Sequence, residues 1–322
     1  MLLLILYLVL STYHLSYRGV RNTVSLLTVT AVFLFYYQSS RHLLNSSVFL
    51  IAICAGLISL LALQVLPLDV AKNMLNSATC YYLITMYLCL TKLKYVRMRN
   101  VAVLFLAIFI LSMLNNHRTL AGLAVLLLFQ YVLLSSNFSR KGMRTLMFAG
   151  IVLCGGAIVS FLVNPKMLVF ANAFNDFLAS EGERTIMSGR EVIWPALWDA
   201  ILQNPVLGLE PGASTSDLFA TNLSAHNFYL EIGMQLGFVG IFLVVLMFWA
   251  LWRIPYPSRR LGYRNAEDLL TVLITMVVVH SLFDVFITQD SLAVGIPVWI
   301  ALGLGLGGLA HNDMAASPVR IQ

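Results

Sequence analysis

Two arginines and a histidine are the residues here whose types and spacing could do chemistry. Arg190 stands in Ser188-Gly189-Arg190-Glu191, at the head of an apolar run. A cation in the first turn of a helix opposes the helix dipole by about 0.3–1 kcal/mol. It is therefore either a solvated surface charge or one favoured by an anion, since helix N-termini collect phosphate. Arg118 lies in the turn Asn115-Asn116-His117-Arg118-Thr119 between two apolar runs, either as a snorkelling side chain or as a second anion ligand. His226 opens a long apolar helix in Ala225-His226-Asn227-Phe228-Tyr229-Leu230-Glu231. Helical spacing puts His226 and Tyr229 on one face, and Asn227 and Glu231 on another. His280 and Asp284 are four apart in the apolar stretch 276–287. Ionisable groups in a span are expensive and face a bundle interior, so these two are either a satisfied structural pair or a device that orients an active group. Gathered on one side of a membrane, Arg118, Arg190 and His226 make a site for an anionic substrate delivered by the membrane.

The elements that must position these groups are membrane helices. Of the 322 residues, 60% are hydrophobic and only 11% charged. A soluble domain carries about 25% charged residues, so charge is too sparse here to cover a water-facing surface. The net charge of +6 is then a question of loop placement rather than of nucleic-acid binding, which is not expected. The four cysteines lack C-x-x-C spacing and read as small buried hydrophobes.

A span needs roughly 20 apolar residues. Ten candidates fall at about 1–17, 22–37, 47–68, 75–91, 100–116, 118–136, 143–164, 226–252, 266–287 and 290–310. The first lacks a basic start and a cleavage site and reads as a retained helix. The expected fold is all-α: a polytopic bundle of about ten transmembrane helices with one large outside loop containing short amphipathic helices. Its expected parts are N-terminal helices over 1–99, a central domain over 100–255 and C-terminal helices with a tail over 256–322.

Alternating the gaps between spans puts 13 of the 20 basic residues on one side and seven on the other. The richer side is cytoplasmic. Both termini then lie inside, and residues 165–225 lie outside, in the periplasm of a Gram-negative cell. Long loops are usually functional, and this one holds seven of the 14 acidic residues. Within it, Ser188 and Glu191 have capping-box spacing. Val192, Ile193, Ala196, Leu197, Ala200 and Ile201 share a broad face, and Trp194 and Trp198 share a side. A short helix at the membrane surface with tryptophans at headgroup level is expected, kinked at Pro195 and ended by Asn204-Pro205. Gly208-Leu209-Glu210-Pro211-Gly212 reads as a plain loop or as backbone able to approach a phosphate.

Ser188-Gly189-Arg190-Glu191-Val192-Ile193-Trp194, then Asn204-Pro205-Val206-Leu207-Gly208, then Ala225–Glu231 and Gly237-Phe238-Val239-Gly240, resemble in this order the shared domain of the O-antigen ligase and polymerase family. The Arg118 turn resembles the one that begins that domain, with His117 where the family often has serine. The resemblance covers about residues 100–255. It implies an inner-membrane glycosyltransferase of GT-C type, with no metal and no cofactor, whose donor is a glycan on undecaprenyl pyrophosphate. It also implies an N-terminal half longer than this one. Motif by motif, it places the family's pyrophosphate-binding arginines on Arg118 and Arg190 and its catalytic histidine on His226. Tyr229, Asn227, Glu191, His280 and Asp284 are candidate supporting residues.

The reading that follows is a polymerase of lipid-linked repeat units, for O-antigen or exopolysaccharide, with a chain-length regulator and a flippase as candidate partners. The alternative is a ligase with the same donor and a lipid A–core or protein acceptor. A transporter is the distant alternative, since no internal repeat is seen.

Overall fold

The structure is a computed structural model. It describes residues 10, 17–65, 72–91, 97–114, 118–135, 145, 148–150, 152–153, 155–156, 190–219, 225–253, 264–285 and 292–315. The described residues form helices joined by turns, with no strand among them. In chain order the helices are α1 (Tyr17–Leu43), α2 (Ser47–Val65), α3 (Lys72–Thr91), α4 (Met98–Leu114) and α5 (Arg118–Ser135). Then follow α6 (Arg190–Gln203), α7 (Thr215–Leu218), α8 (Phe228–Arg253), α9 (Arg264–His280) and α10 (Leu292–Ala315).

The all-helical expectation holds among the described residues, which do not confirm ten spans. By length and composition two described helices can cross a membrane, α1 and α8, beside several shorter apolar ones. The expected spans 1–17 and 143–164 fall largely outside the described residues. The expected short span 22–37 is instead part of the 27-residue α1, so Arg18 and Arg21 sit in its first turns rather than in a gap. The expected span 266–287 stops at His280, because residues 281–283 turn and 284–285 leave the helix.

The helices carry hallmarks of an apolar solvent. Hydroxyls bond back to their own helix: Thr30 to Leu26 O at 2.7 Å, Thr85 to Tyr81 O at 2.8 Å and Ser112 to Ile108 O at 2.7 Å. Such back-bonding satisfies a hydroxyl where water cannot. Large apolar side chains also face outward, among them Val48 at 74% exposure, Ile51, Val103 and Phe242. Lipid rather than water suits such faces.

The chain divides into two units. One comprises residues 25–143, 248–280 and 286–322. In it α3 packs on α4, α4 on α5, α5 on α9, α9 on α10 and α10 on α3, a closed ring of five helices with α2 against α3. Its buried polar residues include Asn76, Ser77, Thr85, Ser112, Thr271, Thr275 and His280. Phe33 of α1 meets Trp299 of α10 edge-on at 5.6 Å.

The other unit comprises residues 1–24, 144–247 and 281–285. In it side chains of α6 touch the first half of α8. Ile193, Trp194, Leu197, Ala200 and Ile201 are buried, and Ile201 lies against Gly233. Val192, expected on that face, is exposed. α6 runs through Pro195 without interruption and ends at Gln203, as the Asn204-Pro205 signal predicts. The following loop locks into a break in α8. Gly237 there has φ 61° and ψ −160°. The broken ladder is repaired by the loop: Phe238 N donates to Pro205 O at 2.7 Å, and Leu209 N donates to Met234 O at 2.8 Å. Gly208 (φ 71°) and Gly237 are both left-handed, and a Cβ on either would strike the other segment's backbone. Only glycine fits both demands.

Candidate functional site

Three segments meet in this second unit: the head of α6, residues 225–228 at the start of α8, and residues 281–285 after α9. Ser281 O accepts from Phe228 N at 2.9 Å, and Leu282 O accepts from Asn227 Nδ2 at 3.0 Å. Asn227 is the N-cap of α8. Its Oδ1 accepts from Tyr229 N and Leu230 N, both at 3.0 Å, and its carbonyl takes the first helical bond from Glu231 N at 3.0 Å. An N-cap asparagine satisfies donors that the helix itself leaves bare.

His226 therefore stands just outside α8 rather than on its first turn. The expected helical face shared with Tyr229 does not form, and Asn227 caps rather than pairing across a turn with Glu231. Glu231 instead accepts from Gln235 Nε2 at 3.0 Å, and both are buried. The reason is local backbone: His226 has φ 47°, the one non-glycine residue with positive φ among those described. A side chain in this region is uncommon, and such conformers concentrate at functional sites.

His226 Nδ1 stands 3.9 Å from Asp284 Oδ1, with side chains 39% and 26% exposed. At that distance the contact is electrostatic rather than a hydrogen bond. Next along the chain from Asp284, Phe283 O accepts from Arg190 Nη2 at 3.1 Å. Arg190 and His226 are thus anchored on adjacent residues of one short segment. The four-residue spacing of His280 and Asp284 does not fall within one helix. Four-residue spacing brings side chains together only inside a helix, and α9 ends between them. His280 is buried in the five-helix ring, with its ring stacked on Tyr81 at 6.3 Å and Nδ1 3.4 Å from Tyr81 Oη.

Trp194 is also not where the sequence puts it. It is 3% exposed, packed inside the unit rather than presented at its surface. Its Nε1 donates to Ala225 O at 2.8 Å, and Arg190 Cζ lies 6.0 Å from its ring centroid. Trp198 meets Phe238 edge-on at 6.0 Å. The glycine-rich stretch after α6 is not a phosphate loop at its start. Gly208 N donates to Asn204 O and Leu209 N to Met234 O, so these donors are already used.

Arg118 begins α5, but its side chain lies outside the described residues, as do that of Glu191 and the whole of Ser188. Sequence reasoning missed one ion pair of this unit. Arg18 Nη1 contacts both Asp217 oxygens at 2.5 and 2.7 Å and Ser214 Oγ at 3.1 Å. Partial burial works against ionisation of Asp217. The Ser214 N–H at 2.8 Å and the hydrogen bond and charge of Arg18 together outweigh it and hold the carboxyl below its usual range.

Apolar outward faces, a break repaired by an inserted loop, and an arginine and a histidine that contact adjacent residues of one segment suggest a membrane protein with a polar site. The comparison with protein families then gives its kind. Residues 101–245 match the family model described as O-antigen ligase, which supports a protein with an O-antigen ligase/polymerase-like domain. The match takes in Arg118, Arg190, Trp194, His226 and Gly237 and stops short of Asp284. No curated protein and no solved structure matches the chain.

Proposed function

We propose that this protein polymerises oligosaccharide repeat units carried on undecaprenyl pyrophosphate, at the periplasmic face of the bacterial inner membrane, by inverting transfer without a metal. The observation that carries the reading is the common anchorage of Arg190 and His226 on Phe283 and Asp284, within a unit whose main motifs lie in the matched segment. The donor's diphosphate is the leaving group and gains negative charge as the glycosidic bond breaks. Arg190 neutralises it through charge-assisted, fork-like hydrogen bonds, the part that the family resemblance also gives to Arg118. Charge placed in advance where charge develops lowers the barrier. His226 accepts the proton of the attacking hydroxyl as general base, and Asp284 stabilises the imidazolium that forms. One displacement at the anomeric carbon inverts its configuration.

The topology supports the same side for every part. The start of α8 and the residues after α9 meet at Phe228 and Ser281, and the basic-residue count assigns both ends to the outside. The ligase reading, with lipid A–core as acceptor, is favoured by the description of the matching family and uses the same donor chemistry.

The test is purified protein given a synthetic lipid-diphosphate repeat unit, with and without core acceptor. Growth of the lipid-linked glycan alone is the polymerase result, and product only on added core is the ligase result. Replacing His226 by alanine lowers turnover by about 10²–10⁴-fold, the share a general base supplies. Near-normal turnover of that variant ends the base assignment, and cytoplasmic labelling of cysteines introduced in 165–225 ends the whole proposal.

A further inference from the structure

We propose that Trp194 is a positioning residue that sets the backbone of His226 with its N–H and the guanidinium of Arg190 with its ring. The inference rests on the roles given to those two residues above.

The geometry separates the two functions of one side chain. Trp194 Nε1 donates to Ala225 O at 2.8 Å. That carbonyl belongs to the peptide plane joining Ala225 to His226. Rotation of the plane is the φ of His226, which stands at 47°. A plane held at its oxygen cannot relax toward the favoured negative φ, where the imidazole would project elsewhere. On the far side, Asn227 fixes the other half of the torsion pair through Leu282 O and the cap of α8. Strained conformers persist only where the surroundings over-determine them, and here a bond grips each side of the histidine.

The ring does something different. Arg190 and Trp194 are one helical turn apart on α6, with Cζ 6.0 Å from the ring centroid. An arginine over an indole face is attracted by the ring quadrupole. Together with the bond to Phe283 O, this limits the sweep of a long side chain. Trp194 itself is too buried to touch a substrate.

Trp194→Phe keeps a ring face and removes the N–H, whereas Trp194→Leu removes both. The assay is glycan transfer by the purified full chain from the synthetic lipid-diphosphate donor, with kcat and donor KM measured separately, beside Arg190→Ala and His226→Ala. The phenylalanine variant is expected to lose about 10²-fold in kcat, the cost of a displaced catalytic group, with donor KM unchanged. The leucine variant is expected to lose at least as much in kcat and to raise donor KM by about 2- to 30-fold, the range a cation–ring contact spans. Should phenylalanine prevent folding, 3-benzothienylalanine at position 194 replaces the N–H by sulfur at constant shape and takes its place. Unchanged kcat in the variant lacking the N–H, alongside impaired Arg190→Ala and His226→Ala, overturns the positioning role alone. Full activity of Arg190→Ala and His226→Ala overturns the functional reading, and this inference with it.

Discussion

Asn227 offers a perturbation whose size follows from counted bonds. Its side chain makes three: Oδ1 accepts from Tyr229 N and Leu230 N, and Nδ2 donates to Leu282 O, each at 3.0 Å, with the residue 2% exposed. Serine at 227 keeps a capping oxygen and loses the donor. Alanine loses both. Loss of a cap costs about 1 kcal/mol, and leaving a buried carbonyl such as Leu282 O without its donor costs about 1–3 kcal/mol. The alanine variant is therefore destabilised by about 2–4 kcal/mol, and the serine variant by the second part alone. The assay is unfolding of the purified protein in a fixed detergent, followed by tryptophan fluorescence, with transfer kinetics on the same samples. Stability should rank wild type above Asn227→Ser above Asn227→Ala. Turnover should fall already in the serine variant, because the residues that face His226 lose a clamp. Equal stability of serine and alanine variants refutes the capping argument. Wild-type stability and turnover in both refute the clamp itself.

Gly237→Ala meets a left-handed backbone and the carbonyl of Val206 at once. About 1–2 kcal/mol of backbone strain adds to the loosening of the Pro205 and Met234 bonds, and a shift of the unfolding midpoint to lower temperature checks it. The Arg18–Asp217 pair is about half exposed, so its coupling in a double-mutant cycle is about 0.2–1 kcal/mol at low salt and shrinks as salt rises. Asp217 has a lowered pKa, so its contribution is fully present above the ordinary carboxyl value of 3.8 and is lost as pH falls through the still lower folded value. The cycle measured at pH 7 and again near pH 3 reads this loss. Tyr81→Phe removes one contact of His280, 3.4 Å long, and the proposed chemistry does not use it. It should leave the pH profile of transfer unchanged, and a shifted profile would bring His280 back into the reaction.

Helices were legible because apolar runs leave few other ways to satisfy a backbone in lipid, and the stop of α6 at Gln203 was legible because Asn204-Pro205 cannot continue it. The positions of Arg190 and His226 were legible only as motif. What the sequence hid is long-range. The left-handed turn at His226 depends on bonds reaching 31 and 55 residues along the chain, from Trp194 to Ala225 and from Asn227 to Leu282. No local propensity reports a torsion set from such distances. The burial of Trp194 was hidden for the same reason, since an indole suits a membrane surface equally well until its N–H finds a carbonyl. The end of α9 at His280 was hidden by composition, as Ser281-Leu282-Phe283 reads apolar enough to continue a helix.

The proposed role of His226 as general base draws support from a comparison of its surroundings with those of His280. A general base must reach the hydroxyl it deprotonates. His280 is wholly buried, faces Tyr81 and ends a helix of the five-helix ring. His226 is partly open, stands by a carboxylate and shares its anchoring segment with Arg190. It also carries backbone strain of about 1–3 kcal/mol, which a purely structural histidine has no reason to keep. Asparagine or glycine would hold the same turn at less cost. Retention of an imidazole in that conformation, with a tryptophan on one side and a capped helix on the other, is explained when the direction of the side chain is what the fold is built to preserve.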